Sequence, residues 1–283
     1  LLLVQAETAT HDRIGTLDLD GGELHWLVDD PKRGIEGIVA GRDGRSAMLL
    51  EYVDGRLAAK LLDVETGAER PFTAPGVSLL PIAQLPDGAW ICESYSSRAP
   101  HDLVRVEPAT MRVTNLTHAA EHVSGVAFHP AQDFRWHSSD AAPIQGWLYE
   151  PEQPSRGLIV WVHGGPTWHS EDWVNPIVQF LVGVGFTVLD PNYRGSTGFG
   201  TAFREAIKTD GWGGREQDDI RTGIEALLAA REALRGAIGV AGLAYGGYSS
   251  WVAITRFADL VDAAMPICCM VQLDVDFHAT GMP

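Results

Sequence analysis

The segment Gly242-Leu243-Ala244-Tyr245-Gly246-Gly247 follows an apolar run, Ile238 to Ala241, and leads into a helical pattern from Tyr248 onward. A strand that turns sharply into a helix through G-x-S-x-G presents a nucleophile for acyl transfer, and here the central position is alanine, Ala244. The glycines serve a mechanical purpose, since positions two before and two after the centre meet neighbouring backbone, where a Cβ would clash. The turn also sets its central residue beside a helix N-terminus, whose dipole favours developing negative charge. Without the serine, such a turn reads equally as plain packing. A second motif argues against that reading. His163-Gly164-Gly165-Pro166 comes directly after the apolar run Leu158 to Val162. Acyl-transfer sites of the G-x-S-x-G type take one oxyanion N–H from the residue after the nucleophile and another from such a loop. Tyr245 and Gly165 are therefore the expected donors, each worth about 3 kcal/mol of transition-state stabilisation. His163 is expected to shape the loop rather than serve as general base, because the base of such a triad follows its nucleophile along the chain.

The elements that must position these residues come in two grammars. Up to about residue 125 the chain reads as short strands between turns, and it repeats. Leu17-Asp18-Leu19-Asp20-Gly21-Gly22 is echoed by Leu62-Asp63-Val64-Glu65-Thr66-Gly67 and, more weakly, by Val104-Arg105-Val106-Glu107-Pro108-Ala109-Thr110, at offsets of 45 and 42 residues. Each copy passes through a tight turn into a second strand, such as Glu23 to Leu27 or Met111 to Leu116. One hairpin per four-stranded unit at this period fits propeller blades, with a β-sandwich as the other reading. Asp54-Gly55 and Asp87-Gly88 are turn pairs between strands. From about residue 135 strands alternate with helices. Leu158 to Val162 reads as a doubly covered parallel strand, Trp173 to Val184 as helix and Thr187 to Asp190 as strand. Ile220, Ile224, Leu227 and Leu228 fall on one helix face. The expectation is an α/β class: part of a β-propeller over residues 1–127, then an α/β-hydrolase domain over 128–283 with a mostly parallel sheet and helices on both faces.

Composition bounds the partners. Twenty-one basic against 37 acidic residues give a net charge of −16, which opposes binding to nucleic acid or an anionic membrane. No apolar run reaches the length of about 18 residues needed to span a bilayer, and a cytoplasmic location is the expectation. The start, Leu1-Leu2-Leu3-Val4, reads like the middle of a protein. Cys92, Cys268 and Cys269 are too few for a disulfide framework, and the last two, inside the run Met265 to Met270, read as reduced residues of a buried strand. The ten histidines show no metal-ligand spacing, and Gly195-Ser196-Thr197-Gly198 lacks the lysine of a phosphate loop, so no metal or cofactor is implied.

With both motifs placed, the chain resembles the prolyl oligopeptidase family of serine peptidases. Asn192-Tyr193-Arg194-Gly195-Ser196-Thr197-Gly198, Trp212-Gly213-Gly214, Asp218-Asp219 and Asp276-Phe277-His278-Ala279 carry the resemblance further, and the His-Gly-Gly-Pro form is most similar to the acylaminoacyl-peptidase branch. The resemblance is specific over residues 135–283 and architectural before that. It implies a β-propeller joined to an α/β-hydrolase domain, and short peptides as substrates. His163, Gly164, Tyr193 and Arg194 lie in shared motifs and are the expected substrate-binding positions. The chain departs from the family's Gly-x-Ser-Tyr-Gly-Gly-Tyr at Ala244 alone, and the triad Asp and His are expected beyond residue 283. Asp276 and His278 are poor stand-ins, because the fold takes its acid and base from two different loops, and Ser249 and Ser250 lie further along the helix. The expectation is a serine peptidase inactivated at its nucleophile, a substrate-trapping variant. A natural peptide-binding pseudoenzyme and an esterase of the same fold stay open, as does a homo-oligomer.

Overall fold

Alternating apolar and polar residues in the first half build antiparallel sheets, and the computed structural model describes them within residues 2–8 and 10–271. Strands β1 (Leu2–Glu7), β2 (Asp12–Leu17) and β3 (Leu24–Val28) form one sheet in sequence order. A second contains β4 (Ile35–Ala40), β5 (Ser46–Val53), β7 (Lys60–Asp63) and β8 (Glu69–Pro71), with β6 (Arg56–Leu57) paired to β5. β9 (Ser78–Gln84), β10 (Trp90–Ser96), β11 (Ala99–Glu107) and β12 (Arg112–Asn115) make a third meander. The three repeat copies lie in three separate sheets, on the hairpins β2–β3, β7–β8 and β11–β12. Asp54 and Gly55 both take positive φ, 53° and 70°, as a two-residue hairpin turn between β5 and β6 requires.

Consecutive sheets share cores. Ile14 and Val28 of the first pack with Ile35, Leu49 and Leu62 of the second. Met48 of the second packs with Leu79, Trp90, Cys92, Val104 and Val106 of the third. A bidentate network, in which Arg33 holds both Glu51 and Glu69 while Lys60 lies 2.8 Å from Glu51, fastens the second sheet from one side.

The chain divides into two units, the first running to Phe128 and taking in Asp172–Val174 and Thr197–Ala202, the second beginning at His129. The short helix α1 (Ala119–His122) follows β12. The second unit is built on β13 (Gln132–His137), β14 (Pro143–Tyr149), β15 (Leu158–Val162), α2 (Pro176–Gly183), β16 (Thr187–Asn192), α4 (Arg215–Ala230), β17 (Ile238–Leu243), α5 (Tyr245–Arg256) and β18 (Ala263–Ile267), while the short α3 (Thr201–Glu205) is divided between the two units at Phe203. Its sheet runs β13-β14-β16-β15-β17-β18, antiparallel on the first two pairings and parallel from β16 onward. β15 sits in the middle, which explains its unbroken apolar run. Ile220, Ile224, Leu227 and Leu228 of α4 are buried as their spacing demands.

Two expectations are corrected. The helix read from Trp173 begins at Pro176, because Asn175 caps it: the carboxamide oxygen accepts from Ile177 N at 3.0 Å and Val178 N at 3.4 Å, and proline at the first helical position needs no hydrogen bond. The run Met265 to Met270 is not one buried strand. β18 stops at Ile267, Cys268 takes φ 45° and is exposed, and Cys269 is half-buried. Apolar composition cannot distinguish a strand's last residue from the bend after it.

Candidate active site

β17 runs straight into α5, and the residue between them carries the tension of the turn. Ala244 has φ 52° and ψ −113°, a conformation that residues bearing a Cβ rarely adopt. Its neighbours explain how the turn is held. A Cβ on Gly242 would lie 2.5 Å from the Val162 carbonyl oxygen and 2.6 Å from the carbonyl carbon of Gly246. One on Gly246 would collide with the same Val162 oxygen. The two glycines flanking Ala244 at two residues' distance are thus pressed on the end of β15, in the places the sequence motif requires. Ala244 N donates to Ile267 O at 3.0 Å, tying the elbow to β18 as well.

The His163–Pro166 loop lies against this elbow. A Cβ on Gly164 would be 3.0 Å from Leu243 O and 3.4 Å from the Ala244 methyl carbon, so the loop's backbone approaches the elbow as closely as a glycine permits. Gly165 takes φ 118°, and its peptide to Pro166 is cis. His163 is buried with its ring stacked on Tyr193, centroids 4.4 Å apart. A carbonyl only accepts, so Nδ1–H of His163 donates to Gly164 O at 2.7 Å, leaving Nε2 3.0 Å from Ser196 Oγ. Burial pushes the imidazole's pKa down to about 4, outweighing the Gly164 hydrogen bond, so the ring is neutral at neutral pH. A neutral ring bonded to its own loop suits a shaping role.

Tyr193 and Arg194 face inward as well. Tyr193 is fully buried and its hydroxyl donates to His163 O at 2.9 Å, so it supports the loop from beneath. Arg194 clasps Asp219 through Nε at 2.9 Å and Nη2 at 2.7 Å, and Asp140 through Nη1 at 2.8 Å and Nη2 at 2.9 Å. These contacts hold its guanidinium inside the unit. The sequence motifs put both at the substrate; the structure sets Tyr193 beneath the loop and Arg194 between Asp219 and Asp140. Ser249 and Ser250 are buried, Ser249 accepting from Gln217 at 3.0 Å and Ser250 donating to Gly246 O at 2.9 Å.

Three partners were not legible as site residues. Glu216 is buried and accepts the Tyr245 hydroxyl at 2.6 Å and Gly213 N at 2.5 Å, joining the start of α4 to the residue after Ala244. Burial, reinforced by the Glu216 charge, raises the Tyr245 phenol well above its ordinary range. The loop leaving Pro166 is gripped at Ser170: its N–H donates to Asn192 at 2.7 Å and its hydroxyl to Asp190 at 2.7 Å, while Trp147 Nε1 donates to its carbonyl at 2.7 Å. Asp190 is buried, and desolvation lifts its carboxyl to about 7 against the lowering pull of the Ser170 bond. Glu216 has a faint signal, an acid three residues after Gly213 at a helix start; Asp190 and Ser170 have none. Asp276 and His278 lie outside the described residues. Among the described residues, no group of three or more His, Cys, Asp or Glu gathers in a way that could hold a metal ion.

Comparison with known proteins bears on the fold that carries this turn. Dipeptidyl aminopeptidase BIII of Pseudoxanthomonas mexicana is 24% identical over 262 residues, 86% of this chain and 37% of that protein. An acylaminoacyl peptidase solved with Z-Gly-Gly-Phe-chloromethyl ketone superposes with a TM-score of 0.80 at 22% identity, over 95% of this chain and 42% of the other. A serine-to-alanine mutant of puromycin hydrolase, complexed with PGG, gives 0.78 at 20% identity, over 96% and 42%. The chain thus spans about two-fifths of the length of these proteins. At these identities the structural likeness shows the fold, an α/β-hydrolase architecture. Residues 173–280, which include the elbow but not the His163–Pro166 loop, match the prolyl oligopeptidase family. Over that span the chain is similar to members of the family.

Proposed function

We propose that the second unit carries the nucleophile elbow and oxyanion loop of a serine-type oligopeptidase, with Ala244 standing where the nucleophilic serine belongs. One observation carries the reading: an alanine held at φ 52°, ψ −113° between two glycines pressed on Val162 O. A packing turn has no use for that strain, whereas a nucleophile lifted clear of the sheet requires it. Gly165 N–H and Tyr245 N–H are the oxyanion donors of this reading, Gly164 brings the loop up to the elbow, and His163 and Tyr193 hold the loop in place.

Alanine has no oxygen to attack a carbonyl, so the chain binds peptides without forming an acyl-enzyme. The serine-to-alanine mutant of puromycin hydrolase, solved in complex with PGG, supports this state as one that still holds a ligand. The first unit is part of a β-propeller in this reading. Its support is the separate meander sheets, the repeat that falls on equivalent hairpins, and the cores shared by consecutive sheets.

The test is Ala244→Ser in a full-length protein that also carries the triad Asp and His. The expected result is fluorophosphonate labelling and peptide cleavage in the serine form, and peptide binding with neither in the alanine form. A serine form that binds peptides yet neither labels nor cleaves leaves a peptide-binding pseudoenzyme and removes the peptidase reading. Acyl esters offered beside peptides separate an esterase from both.

A further inference from the structure

Two neighbouring thiols sit just past β18, on the side of the elbow. Cys268 is exposed and Cys269 half-buried, in contrast to Cys92, which is buried in the first unit with its thiol pushed up to about 12 by desolvation. In a regular strand adjacent side chains point to opposite faces. Here the strand has ended at Ile267 and Cys268 turns to φ 45°, so that alternation does not govern the pair. The segment is anchored at both ends: Ile267 O accepts from Ala244 N at 3.0 Å, and Met270 packs on the main core of the unit. Cys269 itself lies on the first turn of α5, where a Cβ added to Gly247 would come within 2.5 Å of the Cys269 Cβ.

A direct disulfide fits this pair poorly. Adjacent Cα atoms are about 3.8 Å apart across a trans peptide, below the roughly 4.4 Å at which disulfides begin. An atom inserted between the sulfurs relieves that shortfall. We propose that Cys268 and Cys269 form a chelating site for a soft, thiophilic centre with two coordination positions to give, trivalent organoarsenicals being the chemical class. The reaction balances without an oxidant. Two S–H bonds break and two As–S bonds form, and the arsenyl oxygen leaves with both protons as water. Arsenic stays trivalent. Closing the second bond is intramolecular, so the pair holds the ligand far more tightly than either thiol alone. The site does not depend on reading Ala244 as a nucleophile position.

The test uses the chain as it stands with phenylarsine oxide, read by intact mass and by peptide mapping of the adduct. One adduct per chain is expected, mapped to residues 268–269, resistant to excess monothiol and released by a small dithiol. Cys268→Ser and Cys269→Ser should each weaken retention at least about a hundredfold, and Cys92→Ser should leave it unchanged. An adduct that monothiol sweeps from the parent chain as readily as from either serine variant overturns the proposal. So does an adduct that maps to Cys92. Mapping on the parent chain decides the matter even if a serine variant fails to fold.

Discussion

Replacing Asp190 by asparagine should give stability a rise with pH that the parent chain lacks. Asp190 is buried, and its carboxyl titrates near 7 in the folded chain against an ordinary value of 3.8. Between those values the folded state keeps a proton that the unfolded state releases, so stability falls as pH rises. His163 acts in the opposite sense, since burial lowers it from 6.5 to about 4. There the unfolded state takes up the proton first, and stability rises with pH until the unfolded imidazole is neutral. Integrated from about pH 5 to about pH 7.5, Asp190 removes about 2.5 kcal/mol and His163 adds about 2 kcal/mol. The parent chain is therefore expected to look almost level across this window. The depressed carboxylates of Asp43, Asp63 and Asp140 titrate below it. Asparagine reproduces the neutral carboxyl and keeps an oxygen for the Ser170 hydroxyl, which donates to Oδ1 at 2.7 Å. Asp190→Asn should then unmask the His163 slope, gaining about 2 kcal/mol between about pH 5 and about pH 7.5. Urea unfolding midpoints at the two pH values, at constant m, measure it. A variant as level as the parent refutes the assignment of a retained proton to Asp190.

Gly246→Ala should destabilise the chain by about 3 kcal/mol or more, because the added methyl meets the backbone carbonyl of Val162, which cannot swing aside; a melting temperature unchanged within error contradicts the close approach. Arg194→Met leaves Asp219 buried with part of its charge uncompensated and should cost about 3–5 kcal/mol by denaturant unfolding. A loss below about 1 kcal/mol would mean the clasp is idle. Ala244→Ser in the full-length protein should convert a silent peptide binder into one labelled by fluorophosphonate, read by gel fluorescence of the labelled band.

Legibility in the sequence followed the physical reach of each signal. The elbow was readable because its glycines answer a local steric demand, and Gly242 and Gly246 meet it at Val162 O. The hairpin repeat was readable because turn chemistry is local too, and its copies fall in three separate sheets. The inward turn of Arg194 was not, since its partners Asp140 and Asp219 are 54 and 25 residues away in the chain. The grip of Asp190 and Asn192 on Ser170 joins residues about 20 apart across a sheet, with no periodicity to betray it. Cys268 and Cys269 were misplaced because an apolar run carries no mark of where the strand within it stops.

Asp219 gathers several groups of the second unit on one carboxylate. Ser138 donates to it at 2.5 Å and the backbone N–H of Arg194 at 2.9 Å, beside the guanidinium, while its own backbone carbonyl accepts the Trp136 indole at 2.9 Å. The end of β13, the loop after β16 and the first turn of α4 therefore meet at one residue. None of the three can loosen without stranding a buried partner, so they should open together as a single cooperative unit. In native-state hydrogen exchange, Trp136, Arg194 and the start of α4 would then share one opening free energy and one denaturant dependence, although 25 residues or more separate Arg194 and Trp136 from Asp219 along the chain.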